Sequence, residues 1–243
     1  MLIACWSPKG GCGATVVAVG LASVLARPDA PVTLADLAGD LADACGSASP
    51  PGPGLAGWLG APTAPPPGAL ARLAVGLGPG LDLLPLGPGW APGAPGDPST
   101  RAGVLAELWA AGPGLVVADG GSVASGVRSA LLGRAQASVM VLRPCYLALR
   151  RALALGPGAR PTVVAVVGEP GRSLGSGDVA QVLGVPVVVV PHHPSVARRV
   201  DAGLLAGRLP RLLERSMRRL AEAVATGRAL EVPPPGSAPV PGR

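Results

Sequence analysis

Apolar residues in this chain come in short unbroken blocks, set apart by glycine, proline and small polar residues. Residues 2–6 (LIACW) make a block of strand length. Residues 15–26 (TVVAVGLASVLA) are charge-free and long enough for a buried helix. The intervening SPKGGCG is a loop. The same reading predicts strands at 32–36, 81–86, 115–119, 138–142, 162–167 and 187–190. Helices are predicted at 123–132, 147–155, 178–183, 195–205 and 209–225. A further helix should start at Asp97-Pro98, with Asp as N-cap and Pro in the first turn, and end near residue 111. The strands are Val/Leu runs without polar alternation, as expected of a parallel sheet covered on both faces. Strands alternating with helices give the fold class: α/β, a doubly wound, mostly parallel sheet with helices on both faces.

The pattern weakens between residues 46 and 100, where 26 of 55 positions are Gly or Pro. That segment reads as weakly ordered loops with small helices near 55–59 and 69–75, apart from the strand at 81–86. Residues 231–243 form a Pro-rich tail expected to be disordered. One domain over residues 1–230 is the predicted organisation, and its length suits that.

Composition narrows the picture. Apolar residues make up 49% and charged residues 14%, enough for a large core. With no Phe and one Tyr, that core should be Val, Leu and Ala. No apolar stretch reaches the length of a membrane span, and Met1 leads into a strand-like run rather than a basic secretory n-region. None of the four cysteines forms a CxxC pair, which argues against zinc or redox motifs. A cytoplasmic protein is expected, with peripheral attachment to membrane or nucleoid left open. The net charge of +6 is uneven: residues 1–142 carry −2 and residues 143–243 carry +8. The basic half suits an anionic partner, or is simply a solvated Arg-rich surface. In the last predicted helix Arg211, Arg215, Arg218 and Arg219 form a basic face. It fits DNA, anionic membrane or plain solvent.

The candidate chemistry lies after the first strand. Of 20 basic residues 19 are Arg, and the one lysine, Lys9, opens the loop KGGCGAT. Strand, Gly-rich loop and helix are the context a phosphate-binding loop needs. Amides of Gly10, Gly11, Cys12, Gly13, Ala14, Thr15 and Val16 can surround phosphate oxygens at the positive end of the helix. The Thr15 hydroxyl is placed for Mg²⁺. Asp36 and Asp119 end strands and are candidate catalytic and metal-binding carboxylates, or turn caps. Asp40 and Asp43, one helical turn apart, read as exposed. Cys12 reads as a small loop filler. His192 and His193 read as a loop rather than a metal pair, since adjacent side chains diverge.

The loop resembles the deviant Walker A loop of the ParA/MinD family of P-loop ATPases. In that family an early lysine, matched here by Lys9, reaches the partner's nucleotide across a dimer. VTLADLAGDLADACG (32–46) resembles the family's second strand and switch, closest to the CpaE/TadZ pilus-assembly branch. LDLLPLGPG (81–89) and LVVADGG (115–121) resemble its later strand and its Walker B strand. LGVPVVVVPHHPSVARRVDAG (183–203) resembles the late strand and the loop that holds the base, so that Pro191 and His192 join the nucleotide site. The similarity runs through most of residues 1–225.

Departures are specific. Ala14 replaces the central lysine, Ala38 the second switch carboxylate, Gly120-Gly121 the usual Pro-Pro, and Gly168 a base-reading Asn. A lost lysine removes a charge-assisted contact of about 1.5–3 kcal/mol, and more in a transition state. The resemblance therefore implies a positioning protein for a pilus, secretion machine or septum. It would bind ATP or ADP with Mg²⁺, turn over weakly or not at all, act as a homodimer and meet protein partners of that machine. One rival is an active Mg²⁺-ATPase in chromosome or plasmid partitioning. The other is a nucleotide-independent scaffold holding DNA or anionic membrane through its basic half.

Overall fold

The structure is a computed structural model; it describes residues 1–47, 52–63, 65–66, 68–88, 98–122, 126–156 and 159–227. Eight strands form one sheet: β1 (Leu2–Trp6), β2 (Val32–Asp36), β3 (Val75–Gly78), β4 (Leu81–Leu84), β5 (Leu115–Asp119), β6 (Ala137–Leu142), β7 (Val163–Gly168) and β8 (Val187–Pro191). Their order is β3-β4-β2-β5-β1-β6-β7-β8. Every pairing is parallel except β3 with β4. The doubly wound parallel sheet expected from the apolar blocks is what forms.

The described helices are α1 (Ala14–Leu25), α2 (Leu41–Cys45), α3 (Gly54–Gly60), α4 (Ala69–Leu73), α5 (Pro98–Ala111), α6 (Gly126–Leu132), α7 (Tyr146–Leu153), α8 (Ser176–Leu183), α9 (Pro194–Asp201) and α10 (Arg211–Thr226). Every residue of β1 and β6 is buried, because helices cover both faces. On β1, Ile3 and Cys5 join the layer of α1 and α10, while Leu2 and Trp6 pack on the opposite face. The core is mostly Val, Leu and Ala, but Trp6, Trp58 and Trp109 are buried too, so these three tryptophans partly replace the missing Phe. Gly20 lets α1 meet α10 closely: a Cβ there would lie 2.8 Å from Met217 Cγ. The inner face of α10 buries Leu213, Met217 and Leu220, whereas Leu212 is half exposed. Arg211, Arg215, Arg218 and Arg219 are all exposed, and Arg218 pairs with Glu214 at 2.7 Å.

Two expectations in the Gly/Pro-rich zone change. The small helix stops at Leu73, and residues 75–78 form an edge strand antiparallel to β4. The predicted strand 81–86 ends at Leu84, ahead of Pro85. The last two helices also shift: α9 stops at Asp201 and α10 begins after Pro210. The Asp97 cap, the start of the helix predicted at 123–132 and the Pro-rich tail lie outside the described residues.

Candidate functional site

The C-terminal ends of the parallel strands gather the predicted residues at one edge of the sheet. β1 ends at Trp6 and hands the chain to Ser7, whose buried hydroxyl donates to the Lys9 carbonyl (2.6 Å) and accepts from the Lys9 N–H (3.2 Å). The Ser7 N–H ties this turn to the Gly121 carbonyl beyond β5 (2.8 Å). Gly13, at φ 94°, is the N-cap of α1, and it has no side chain with which to satisfy the helix amides. The N–H groups of residues 10–16 consequently make no hydrogen bond among the described residues. Unsatisfied amides at the positive end of a helix attract anions.

Residues 9–15 line a cleft of about 380 Å³ together with Ser7, Ala38, Asp40, Gly121, Ser122 and Arg143. A smaller cleft of about 130 Å³ adjoins it and shares Cys12, Gly13 and Arg143. Val16, Pro191 and His192 line this second cleft with apolar side chains such as Val167 and Val190. The predicted phosphate and base residues are therefore brought together in two connected spaces. His193 lines the smaller cleft as well and also caps α9: its Nδ1 accepts from the Ser195 N–H (3.2 Å) and pairs with the Ser195 hydroxyl (2.8 Å).

Asp36 and Asp119 sit in register at the ends of adjacent strands β2 and β5. Their environments differ. Asp36 accepts three backbone N–H bonds, from Ala38 (3.0 Å) and Gly39 (2.6 Å) on Oδ1 and from Leu41 (3.2 Å) on Oδ2. It holds the turn that presents Ala38 and Asp40 to the cleft. Burial raises its pKa, against the lowering effect of those amides. Asp119 is fully buried, and its Oδ1 accepts from the Gly121 N–H (3.0 Å). Its Oδ2 meets no donor at bonding geometry, although the Thr15 hydroxyl favours the charged carboxylate. Burial wins and pushes Asp119 up to about 6. The Cys5 thiol nearby is raised too, by burial first and by the Asp119 charge second. Among the described residues no group of three or more His, Cys, Asp or Glu side chains could hold a metal.

Two charged residues beyond the predicted site also line these clefts. Asp40 is exposed, as expected, and it also lines the larger cleft. Arg143 follows β6 directly and borders both clefts. The rule that singled out Asp36 and Asp119, a charged residue at the C-terminal end of a parallel strand, points to Arg143 as well.

No family model and no curated protein sequence matches the chain. Solved structures do. A ParA family ATPase from Chlorobium tepidum TLS superposes with a TM-score of 0.72 at 22% identity, covering 91% of this chain and 98% of that one. The MinC:MinD cell division protein complex of Aquifex aeolicus gives 0.73 at 18%, covering 96% and 98%. The septum site-determining protein MinD from Pyrococcus horikoshii OT3, complexed with Mg-ADP, gives 0.73 at 16%, covering 93% and 96%. The architecture is that of a P-loop NTPase. More narrowly, it is the eight-stranded ParA/MinD arrangement of that fold, shared at identities that speak for fold alone.

Proposed function

We propose that this chain is a ParA/MinD-like nucleotide-binding switch that positions a pilus or secretion machine, or a division septum, with little or no ATP turnover. The observation that carries the reading is the run of amides from Gly10 to Thr15 around the larger cleft, which make no hydrogen bond among the described residues. Bound Mg²⁺ would supply charge neutralisation between phosphate oxygens. The Thr15 hydroxyl and Asp119 would hold it, Asp119 acting through water. The chemistry fits: Asp119 Oδ2 is a buried carboxylate oxygen without a bonded donor, and the site lacks the dense side-chain cluster of an all-protein metal cage. Asp36 then serves chiefly to fix the switch turn. Val16, Pro191 and His192 face the base.

Lys9 is half-buried and forms no ion pair among the described residues, so its ammonium is available to phosphate, in its own subunit or in that of a homodimeric partner. Ala14 and Ala38 remove a cation and a carboxylate that turnover needs more than binding does. Support for nucleotide as ligand also comes from the MinD neighbour solved with Mg-ADP. Calorimetric titration with ATP and ADP, with and without Mg²⁺, tests the reading. Mg²⁺-dependent binding, weakened by Lys9→Ala and accompanied by negligible phosphate release, is expected. A folded protein that binds neither nucleotide until Ala14→Lys is introduced would leave a scaffold. Brisk turnover abolished by Lys9→Ala would make it a partitioning-type ATPase.

A further inference from the structure

Arg143 occupies a position that the ion pairs of the fold do not explain. It is the first residue past β6, flanked by the ends of β1 and β7, which pair with β6 on either side. Among the described residues it is the one charged residue common to the two clefts. Its guanidinium makes no hydrogen bond among the described residues, and its Nε is buried without a partner. Its nearest carboxylate, Glu169, lies 3.9 Å from Nη1 and is held more closely by Arg172, at 2.6 Å. A guanidinium offers five donors in a planar fork suited to phosphate. Leaving a buried donor of this kind unsatisfied is costly, and an anion entering the cleft would satisfy it. Among the described residues the only other cation lining either cleft is Lys9, which borders the larger one alone.

We propose that Arg143 supplies, from the end of β6, the cation that the loop lacks at Ala14, and that it binds the nucleotide where its phosphates meet its sugar. The shared border of the two clefts fixes that position. With phosphates in the larger cleft and base in the smaller, the junction holds the α- and β-phosphates, which ADP and ATP have in common. Lys9, away from the junction, is left to the terminal phosphate. This inference rests on the nucleotide reading above and sharpens it. It predicts a binding site whose cation has moved from the helix to a neighbouring strand end.

Calorimetric titration of the full chain with Mg-ADP and Mg-ATP tests it, using the wild type, Arg143→Gln, Arg143→Lys, and Arg143→Gln combined with Ala14→Lys. Unliganded melting curves report whether each variant folds. Arg143→Gln should weaken ADP and ATP alike, by about 10–100-fold. Arg143→Lys, which keeps charge but not the fork, should recover part of that loss, and Ala14→Lys should restore binding in the Arg143→Gln background. A wild type that binds while Arg143→Gln matches it within about twofold overturns the assignment and leaves Arg143 a partner of Glu169, with the nucleotide reading intact. A loss confined to ATP overturns the placement at the junction. A wild type that binds neither nucleotide overturns both readings.

Discussion

Replacing Asp119 by Asn should change how stability depends on pH, in a direction set by burial. In the unliganded protein the carboxyl is fully buried, and its pKa is pushed up to about 6 from the ordinary 3.8. Between these values the folded state holds a proton that the unfolded chain has released. Stability from this group is therefore complete below about pH 4 and is lost as pH rises through about 6. A displacement of about two pKa units corresponds to about 3 kcal/mol. Asn carries no charge, so Asp119→Asn abolishes this slope. The variant also places an amide NH₂ where Oδ2 had no bonded donor, at a cost of about 1–3 kcal/mol, but that cost is the same at every pH. The quantity to measure is the change in the stability difference. Urea denaturation followed by tryptophan fluorescence, from pH 4 to 7.5 without nucleotide or divalent cation, should show the variant gaining about 3 kcal/mol on the wild type as pH rises. A difference that stays flat across the range would falsify the account of Asp119 as a carboxylate ionised against its surroundings. The physical point bears on the site: an unliganded Asp119 is destabilising when charged, and a cation in the cleft would relieve it.

Asp36→Ala removes the acceptor for three backbone N–H groups. It should cost about 2 kcal/mol or more, and hydrogen exchange should accelerate at residues 38, 39 and 41 while β5 stays protected. Exchange that leaves that turn unchanged would show that Asp36 does not hold it. Gly20→Leu should destabilise the fold by about 1–3 kcal/mol through overpacking against Met217. Thermal melts should then show part of the loss recovered when Met217→Ala is added, and a purely additive double variant would contradict close contact between α1 and α10.

The parts of this fold that were legible in the sequence are those where one physical cause dominates. β1, β5 and β6 are covered on both faces, and apart from Ser138 and the strand-end Asp119 their residues are apolar. β3 escaped notice because its four residues alternate between partly buried and exposed, and two of them are glycine. Its existence depends on pairing with β4 across the Pro79-Gly80 turn, which local sequence does not encode. Within the site, Lys9 was conspicuous as the sole lysine of the chain, whereas Arg143 is one arginine among 19. Its place at the end of a parallel strand, beside β1, is what sets it apart. Asp36 and Asp119 look alike in sequence, each closing an apolar run. Three amides on one and a bare buried oxygen on the other separate a cap from a candidate ligand, and that distinction lies in the turns that follow each strand.

The proposed separation of binding from turnover follows from which groups a phosphate loop can lose. The amides of residues 10–16 belong to the backbone, so substitution of a neighbouring side chain leaves them in place as long as Gly11 and Gly13 keep their positive φ angles. The altered positions, Ala14 and Ala38, are side-chain positions. A ground-state phosphate needs donors, which on the proposed reading the cradle and the strand-end cation would supply. A transition state adds charge on the transferred group and needs a water held in line. The first demand calls for a further cation at the helix start, and the second for a carboxylate at the switch. In the place of that carboxylate stands Ala38, with Asp40 two residues on and also lining the cleft. On the proposed reading, a chain built this way would still bind nucleotide while slowing its hydrolysis, the step that resets a switch. Resetting would then fall to exchange of the nucleotide, or to a partner that completes the site.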